Sequence, residues 1–270
     1  MNDPVYFQPS DNETSRAIRR MLIGLVIFFV CLIAAGALVI ANAGWIAQRI
    51  PFSAEKRFVE PYISILNSEY GEDVSGDEQE YLQGLTDDLA AAMGVKDEIE
   101  LTVHFVDSPA TNAIATIGGH IFVFRGLVER MPDENSLAMV LAHEVAHVEH
   151  RDPIAAVGRG FTAIFILSFI GGELPAAGGE VGMQLGLNAY SRRREQSADI
   201  EALKTLAARY GHVAGYNTFF QWVVDIEGED ELPDLLSTHP GMQSRIDVLD
   251  AHVDERGYAI GSTVPIPDVF

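Results

Sequence analysis

The longest apolar run of the chain lies near its start, in MLIGLVIFFVCLIAAGALVIA from Met21 to Ala41, where no residue is charged. A helix needs roughly 20 apolar residues to cross the hydrocarbon core of a bilayer. The pattern therefore predicts a transmembrane helix over residues 21–43. A cleaved signal peptide is the alternative, because Ala41-Asn42-Ala43 has the small-x-small form of a cleavage site, although signal peptides usually have a shorter apolar core of about 7 to 15 residues.

The charges that flank this run predict its orientation. Arg16, Arg19 and Arg20 precede it closely, whereas the next cations begin only at Arg49. Positive charge collects on the cytoplasmic side of membrane spans. We therefore expect residues 1–20 to form a cytoplasmic tail. The rest of the chain is then expected on the periplasmic or extracytoplasmic side of a cell inner membrane, as in a single-pass protein.

After the apolar run, a predicted connector precedes a domain that begins with a helix and several strands. Residues 44–79 are predicted to be a membrane-proximal connector that leads into a separate domain over residues 80–270. LTVHFV at residues 101–106 and IFVF at residues 121–124 are rich in residues that favour strands. Residues 112–116 predict a third strand, joined to the last one through the turn-forming pair Gly118-Gly119. A small sheet that contains a hairpin is expected.

Helical spacing of apolar positions dominates the remainder of the domain. It predicts five helices, over Glu80–Met93, Asp133–His150, Tyr190–Tyr210, Tyr216–Ile226 and Met242–His252. A further apolar stretch within residues 161–183 is too short to span a bilayer and is interrupted by glycines. Two interpretations of it stay open, a membrane-dipping or lid-like segment and a buried core helix. The predicted fold class is α+β, a mainly helical domain with a small β-sheet.

Charge and cysteine content exclude several classes of function. Acidic residues outnumber Lys and Arg by 39 to 18, which gives a formal net charge of −21. Nucleic-acid binding depends on basic surfaces, so we expect no nucleic-acid partner. Cys31 is the single cysteine, which excludes an internal disulfide bond and a zinc site built from cysteines.

The stretch LAHEVAHVEHRD, within the predicted helix Asp133–His150, carries the clearest chemical signal. His143 and His147 are one helical turn apart, so both imidazoles face the same side and reach one metal ion. Glu144 lies beside them, which is the HExxH arrangement of zinc peptidases. His150 lies too far from His143 to share a metal and is interpreted as a helix-end residue. Glu149 is interpreted as a solvated neighbour.

A catalytic zinc site needs a third protein ligand and an open position for water. A metzincin would have glycine at position 150 and histidine at position 153, where this chain has His150 and Pro153. A carboxylate is therefore the expected third ligand. Glu195 fits this role, and Asp199, one turn later, is placed to accept the free ring N–H of a ligating histidine. An ordinary solvated helix face is the alternative interpretation of this pair.

Four segments in a fixed order resemble the gluzincin peptidases. They are TNAIATIGGHIFVFRGLVE, HEVAH, SRRREQSAD and THPGMQSRI. This family includes the CAAX prenyl proteases, HtpX, BepA and the mitochondrial Oma-type proteases, and the likeness covers about Tyr81 to Val253. It implies a zincin-like fold. The chain has one convincing span, so it is more similar to the single-span quality-control members than to the multi-span prenyl proteases.

The resemblance also implies roles for individual residues. His143, His147 and Glu195 would bind one Zn²⁺ per chain, and Glu144 would be the general base. His239 and Arg245 would lie near the active site and stabilise the oxyanion. The family carries an edge strand to which an extended peptide pairs, and here that strand includes Asn112 and Ala113, followed by isoleucine where the family has phenylalanine.

These observations lead to one expected function and two alternatives. The expected function is a membrane-anchored zinc metalloendopeptidase that hydrolyses peptide bonds with a zinc-bound water activated by Glu144, in quality control of envelope or membrane proteins. Its partners would be polypeptide substrates and, through residues 21–43, the lipid bilayer. A metal-regulated, chaperone-like binding module for envelope proteins is the first alternative, and a zinc hydrolase of a non-peptide bond is the second. An intact Glu144 favours cleavage, because a binding module does not need a base.

Overall fold

We describe the protein from a computed structural model, which defines residues 11–63, 74, 76–158, 190–226, 239 and 241–270. The chain divides into two compact units, Met1–Ala43 and Gly44–Phe270. The predicted segment at residues 161–183 lies outside the described residues.

The first helix, α1, spans Asp11–Ala47 and so begins well inside the predicted tail. Its stretch Thr14–Val39 is long and apolar enough to cross a membrane, with a mean hydropathy of 3.0. Large apolar side chains along it are exposed, for example Phe28 at 62%. A signal sequence near the N-terminus has the same length and composition.

The predicted connector is more ordered than its sequence indicated. It contains helix α2, Phe52–Val59, followed by a 3-10 turn at Glu60–Tyr62. Helix α3 then spans Asp77–Met93 and ends at Gly94, whose φ of 78° is the left-handed conformation that glycine adopts readily at a helix end. Helix α3 was expected to begin three residues later.

The predicted sheet is confirmed and has three strands. Strands β1 (Thr102–Val106), β2 (Ala113–Ala115) and β3 (His120–Phe124) lie in the order β1-β3-β2, with β3 in the centre. β1 runs parallel to β3, and β2 is the antiparallel hairpin partner of β3. The turn between β2 and β3 contains Gly118 and Gly119, with φ values of 77° and 82°.

Helices make up most of the rest of the described chain. They are α4 (Arg125–Arg130), α5 (Glu134–Glu149), a helical stretch at residues 152–158, α6 (Arg192–Tyr210), α7 (Thr218–Ile226) and α8 (Met242–Arg256). The positions of α5 to α8 agree with the predicted helices, whereas α4 and the stretch 152–158 were not predicted. α8 extends four residues beyond its predicted end, and its last apolar residue, Val253, is buried.

Helix α5 lies at the centre of the domain. Asp133 caps it by accepting a hydrogen bond from the Ser136 amide at 2.8 Å. Every residue from Asn135 to Val148 is buried, because α6 and α3 pack against α5 and the sheet covers it through β2. The sequence predicted one buried stripe, whereas the structure buries the whole helix, including its histidines and Glu144. The predicted α+β class is confirmed.

Candidate metal centre

Helix α5 places its two histidines together as the HExxH spacing predicts. The Nε2 atoms of His143 and His147 lie 3.0 Å apart. Both side chains are buried, and Glu144, next to His143, is only 1% exposed. An unpaired buried polar group is costly, so side chains in this position need partners from other elements.

Helix α6 supplies the first of these partners. Glu195 Oε2 lies 3.5 Å from His143 Nε2, and Glu195 Oε1 lies 3.5 Å from His147 Nε2. His239 comes from a separate part of the chain, with its Nδ1 2.8 Å from Glu195 Oε2. Ligand atoms of these four buried residues all lie within 4.8 Å of one another, a group that could hold a metal ion. The sequence predicted three of them as ligands and placed His239 nearby.

The chemistry of these donors fits a metal ion. Within the described part of the chain, Glu195 Oε1 and Glu144 Oε1 are buried and accept no hydrogen bond. Two imidazole nitrogens also face each other and a carboxylate, and all three side chains are buried. A buried carboxylate is stable only when it is paired or coordinates a metal. Imidazole and carboxylate ligands together suit a divalent transition-metal ion.

Asp199 holds one of the histidines, in the position that the sequence predicted. His143 Nδ1 lies 2.9 Å from Asp199 Oδ1. Arg245 donates to the same carboxylate from Nη2 to Oδ1 at 2.6 Å and from Nε to Oδ2 at 2.8 Å. Arg245 Nη1 also lies 3.0 Å from Glu195 Oε2. The guanidinium therefore lies near the site as expected, and its shortest contacts are to these two carboxylates.

Asp152 holds the other histidine, and sequence reasoning missed it. Its Oδ2 lies 2.9 Å from His147 Nδ1, and its Oδ1 forms an ion pair with Arg194. Tyr190 stacks on the His147 ring, with 4.1 Å between ring centroids. The available signal was the DP sequence directly after the helix end, at a spacing of five residues from His147. Identifying Asp152 as the partner of His147 required knowledge of how the backbone turns after α5.

The charges around the site favour a bound cation. Burial raises the pKa of Glu195, but the neighbouring imidazoles of His143, His147 and His239 outweigh burial and lower that pKa well below its usual range. Burial also opposes ionisation of Asp199, yet Arg245 lowers its pKa to about 2. Burial and Arg245 disfavour the protonated form of His143, but Asp199 and Glu195 raise its pKa to about 9. Two ionised carboxylates therefore surround the imidazoles.

Strand β2 reaches the site from the other side. The Ala115 amide donates a hydrogen bond to Glu144 Oε2 at 2.7 Å, which shows that this amide points away from β3. β2 bonds to β3 through the flanking residues, with Asn112 O accepting from the Phe124 amide and the Thr116 amide donating to His120 O. The backbone groups of Ala113 and Ala115 therefore face the outer edge, where no strand pairs within the described residues. Asn112 and Ala113 are both buried.

Comparison with known proteins agrees with this geometry. The model of Peptidase family M48 matches residues 77–253. The mitochondrial metalloendopeptidase OMA1 of Bos taurus is 30% identical over 175 residues, which cover 57% of this chain and 32% of that protein. The OMA1 enzyme of Schizosaccharomyces pombe is 27% identical over 199 residues, 71% of this chain and 59% of its own length.

A bacterial relative shows a similar match. The beta-barrel assembly-enhancing protease of Escherichia coli K12 is 26% identical over 164 residues, 55% of this chain and 34% of that enzyme. The chain thus spans about a third of the length of the cattle and bacterial relatives. The family model covers well over half of the chain, including helices α5 and α6. The chain therefore belongs to peptidase family M48, a family of metallopeptidases.

Proposed function

We propose that this chain is a zinc-dependent endopeptidase in which His143, His147 and Glu195 bind one Zn²⁺. The observation that carries the proposal is the convergence of these three buried side chains beside Glu144. Two imidazoles and one carboxylate are a common ligand set for catalytic zinc, and they leave a position open. Asp199 and Asp152 each hold the outer ring nitrogen of one histidine, which fixes the orientation of both rings.

Zinc, when bound, supplies a Lewis acid that polarises a carbonyl and makes water acidic near neutral pH. Glu144 is the general base in this proposal. Its Oε2 is fixed by the Ala115 amide, while its Oε1 accepts no hydrogen bond in the described part of the chain. Oε1 is therefore available to take a proton from water and to pass it to the leaving amine nitrogen.

His239 is proposed to donate a hydrogen bond to the carbonyl oxygen as negative charge develops there. Its Nε2 lies 3.8 Å from Glu144 Oε1, on the side of the site where the base acts. Because Nδ1 donates to Glu195 Oε2 at 2.8 Å, donation from Nε2 requires the doubly protonated ring; burial lowers the pKa of His239, while Glu195 and Glu144 act in the opposite direction and favour that ring. Arg245 has a supporting role, because it holds Asp199 and Glu195 in place.

The substrate is proposed to be an extended polypeptide that pairs with the outer edge of β2. Peptides often bind by adding a strand to a sheet edge, and the outward backbone groups of Ala113 with the Ala115 carbonyl would supply such an edge, since the Ala115 amide binds Glu144. Asn112 lies at the start of the strand, and its buried Oδ1 accepts no hydrogen bond from the described residues. Because Ala115 also contacts Glu144, a peptide on this edge lies next to the base.

The proposed cellular role is quality control of envelope or membrane proteins, with residues 44–270 outside the cytoplasm. The relatives support it, since one is a beta-barrel assembly-enhancing protease and the others are mitochondrial metalloendopeptidases. The candidate span at Thr14–Val39 and the arginines near its start support the membrane anchor and its orientation.

Replacing the base tests this function against the alternative of a metal-regulated binding module. Glu144→Gln keeps the shape of the side chain but cannot accept the proton. We expect about one zinc per chain and loss of cleavage of an unfolded protein such as labelled casein. Glu149→Gln, on the same helix but partly exposed, is the matched control and should cleave normally. Full cleavage by a carefully purified Glu144→Gln protein would exclude the mechanism.

A further inference from the structure

Residues 44–63, here called the neck, follow the candidate span and precede the part of the chain that the family model matches. The neck contains one buried acidic side chain, Glu55, which is 4% exposed. Glu55 lies on α2 and makes two contacts to segments that flank the candidate metal centre. Oε1 accepts a hydrogen bond from the Gly118 amide at 2.8 Å, and Oε2 forms an ion pair with Arg151.

The first contact fixes the turn between β2 and β3. A Cβ atom on Gly118 would lie 2.5 Å from Val59 Cγ1 and 3.3 Å from Lys56 Cα, so helix α2 packs directly on the backbone of this turn. Three residues before Gly118 is Ala115, whose amide donates to the base Glu144. The neck therefore supports the strand that carries both the outer edge of the sheet and the hydrogen bond to the base.

The second contact fixes the chain where it leaves α5. Arg151 has a φ of 58°, a left-handed conformation that is unfavourable for a residue with a side chain. Its guanidinium binds Glu55 and also donates to Ile50 O at 2.9 Å. Gln48 adds a hydrogen bond from Nε2 to His150 O at 2.9 Å. The neck thus stabilises an unfavourable backbone conformation directly before Asp152, which holds His147.

Apolar packing joins these two contacts into one unit. Five buried side chains form a separate cluster from the neck, the β2–β3 turn and the helical stretch 152–158, namely Ala47, Val59, Ile117, Ile154 and Val157. Glu55 and Arg151 are not among the residues of the main core around α5, to which the neck contributes Phe52. A buried ion pair is weak evidence for stability by itself, so a positioning role is a better account of this one.

We propose that Glu55 is a positioning residue for the reaction, acting on the base side through Gly118 and β2 and on the metal side through Arg151, Asp152 and His147. This inference rests on the proposed function for its catalytic consequences. It makes the neck, which lies outside the family-matched region, a part of the active site. We call the contact to Gly118 the first arm and the contact to Arg151 the second arm. Their effects are separable, because β2 is the proposed peptide-binding strand and His147 is a proposed metal ligand.

Three variants of the full chain in detergent test the two arms. Glu55→Ala removes both contacts, so we expect a higher KM for an unfolded protein substrate and a zinc affinity lowered roughly tenfold or more. Arg151→Ala removes only the second arm, so zinc affinity should fall while KM at saturating zinc changes little. Glu60→Ala, an exposed neck carboxylate, is the control and should change neither. Glu55→Gln serves if Glu55→Ala does not fold.

Hydrogen exchange of backbone amides on the same proteins gives a readout that does not depend on activity. Glu55→Ala should speed exchange at residues 113–120 and 148–152, and Glu60→Ala should not. The proposed function fails if the unmodified chain neither binds zinc nor cleaves. The positioning role is overturned if the unmodified chain does both while Glu55→Ala keeps its KM, zinc affinity and exchange pattern, even if its melting temperature falls.

Discussion

Replacing Arg245 by methionine removes a guanidinium that contacts both Asp199 and Glu195. The Arg245 side chain is 4% exposed and makes three contacts of 2.6, 2.8 and 3.0 Å to these carboxylates. Breaking a buried pair by removing one partner costs about 3 to 5 kcal/mol, because the remaining charge stays buried without compensation. Methionine keeps most of the side-chain length, so little of this loss arises from a cavity.

The loss should appear in the free energy of unfolding of the metal-free protein. Urea unfolding in the presence of a chelator, followed by the fluorescence of Trp222, measures it. Arg209→Met is the matched control, because Arg209 pairs with Asp88 at 2.9 Å on the surface, where such pairs contribute about 0 to 1 kcal/mol. A loss below about 1 kcal/mol for Arg245→Met would refute the view that the guanidinium compensates two buried carboxylates.

Two further predictions concern the histidines. The pKa of His143 is raised to about 9 from its ordinary 6.5, so its protonated form stabilises the metal-free protein fully below pH 6.5, and this stability is lost as the pH rises through 9. Melting temperatures in chelator should therefore fall over that range, while zinc affinity, measured by competition, should rise because zinc replaces the proton. For His239→Ala we expect about one zinc per chain and a kcat lowered about 100-fold, as for loss of one oxyanion donor. Loss of the zinc from His239→Ala would instead make His239 a metal ligand and contradict its assigned role.

The elements that carry the chemistry were predictable because their signals are local. His143 and His147 are four residues apart on a helix with a clear cap, so their proximity follows from helical geometry alone. Glu195 and Asp199 share a face of α6 for the same reason. The pairing of β2 with β3 followed from two strand patterns joined by glycines. Family membership confirms the peptidase class that this pattern predicted.

The features that the sequence did not reveal depend on contacts between distant segments. Asp152, which contacts His147, directly follows Arg151, whose backbone is left-handed and whose guanidinium binds Glu55, 96 residues earlier. No local pattern distinguishes Glu55 from the exposed acidic residues around it. Arg245 was expected near the active site, but the sequence did not reveal that its guanidinium forms ion pairs with both buried carboxylates of α6.

The zinc content of the purified chain tests the central claim most directly. Glu195→Gln removes the negative charge of the proposed third ligand with little change in shape. Glu201→Gln, on the same helix but partly exposed and paired with Lys204, is the control. We expect about one zinc per chain for the unmodified protein and the Glu201→Gln protein, and little zinc for Glu195→Gln. Full zinc content in the Glu195→Gln protein would contradict the proposed metal site.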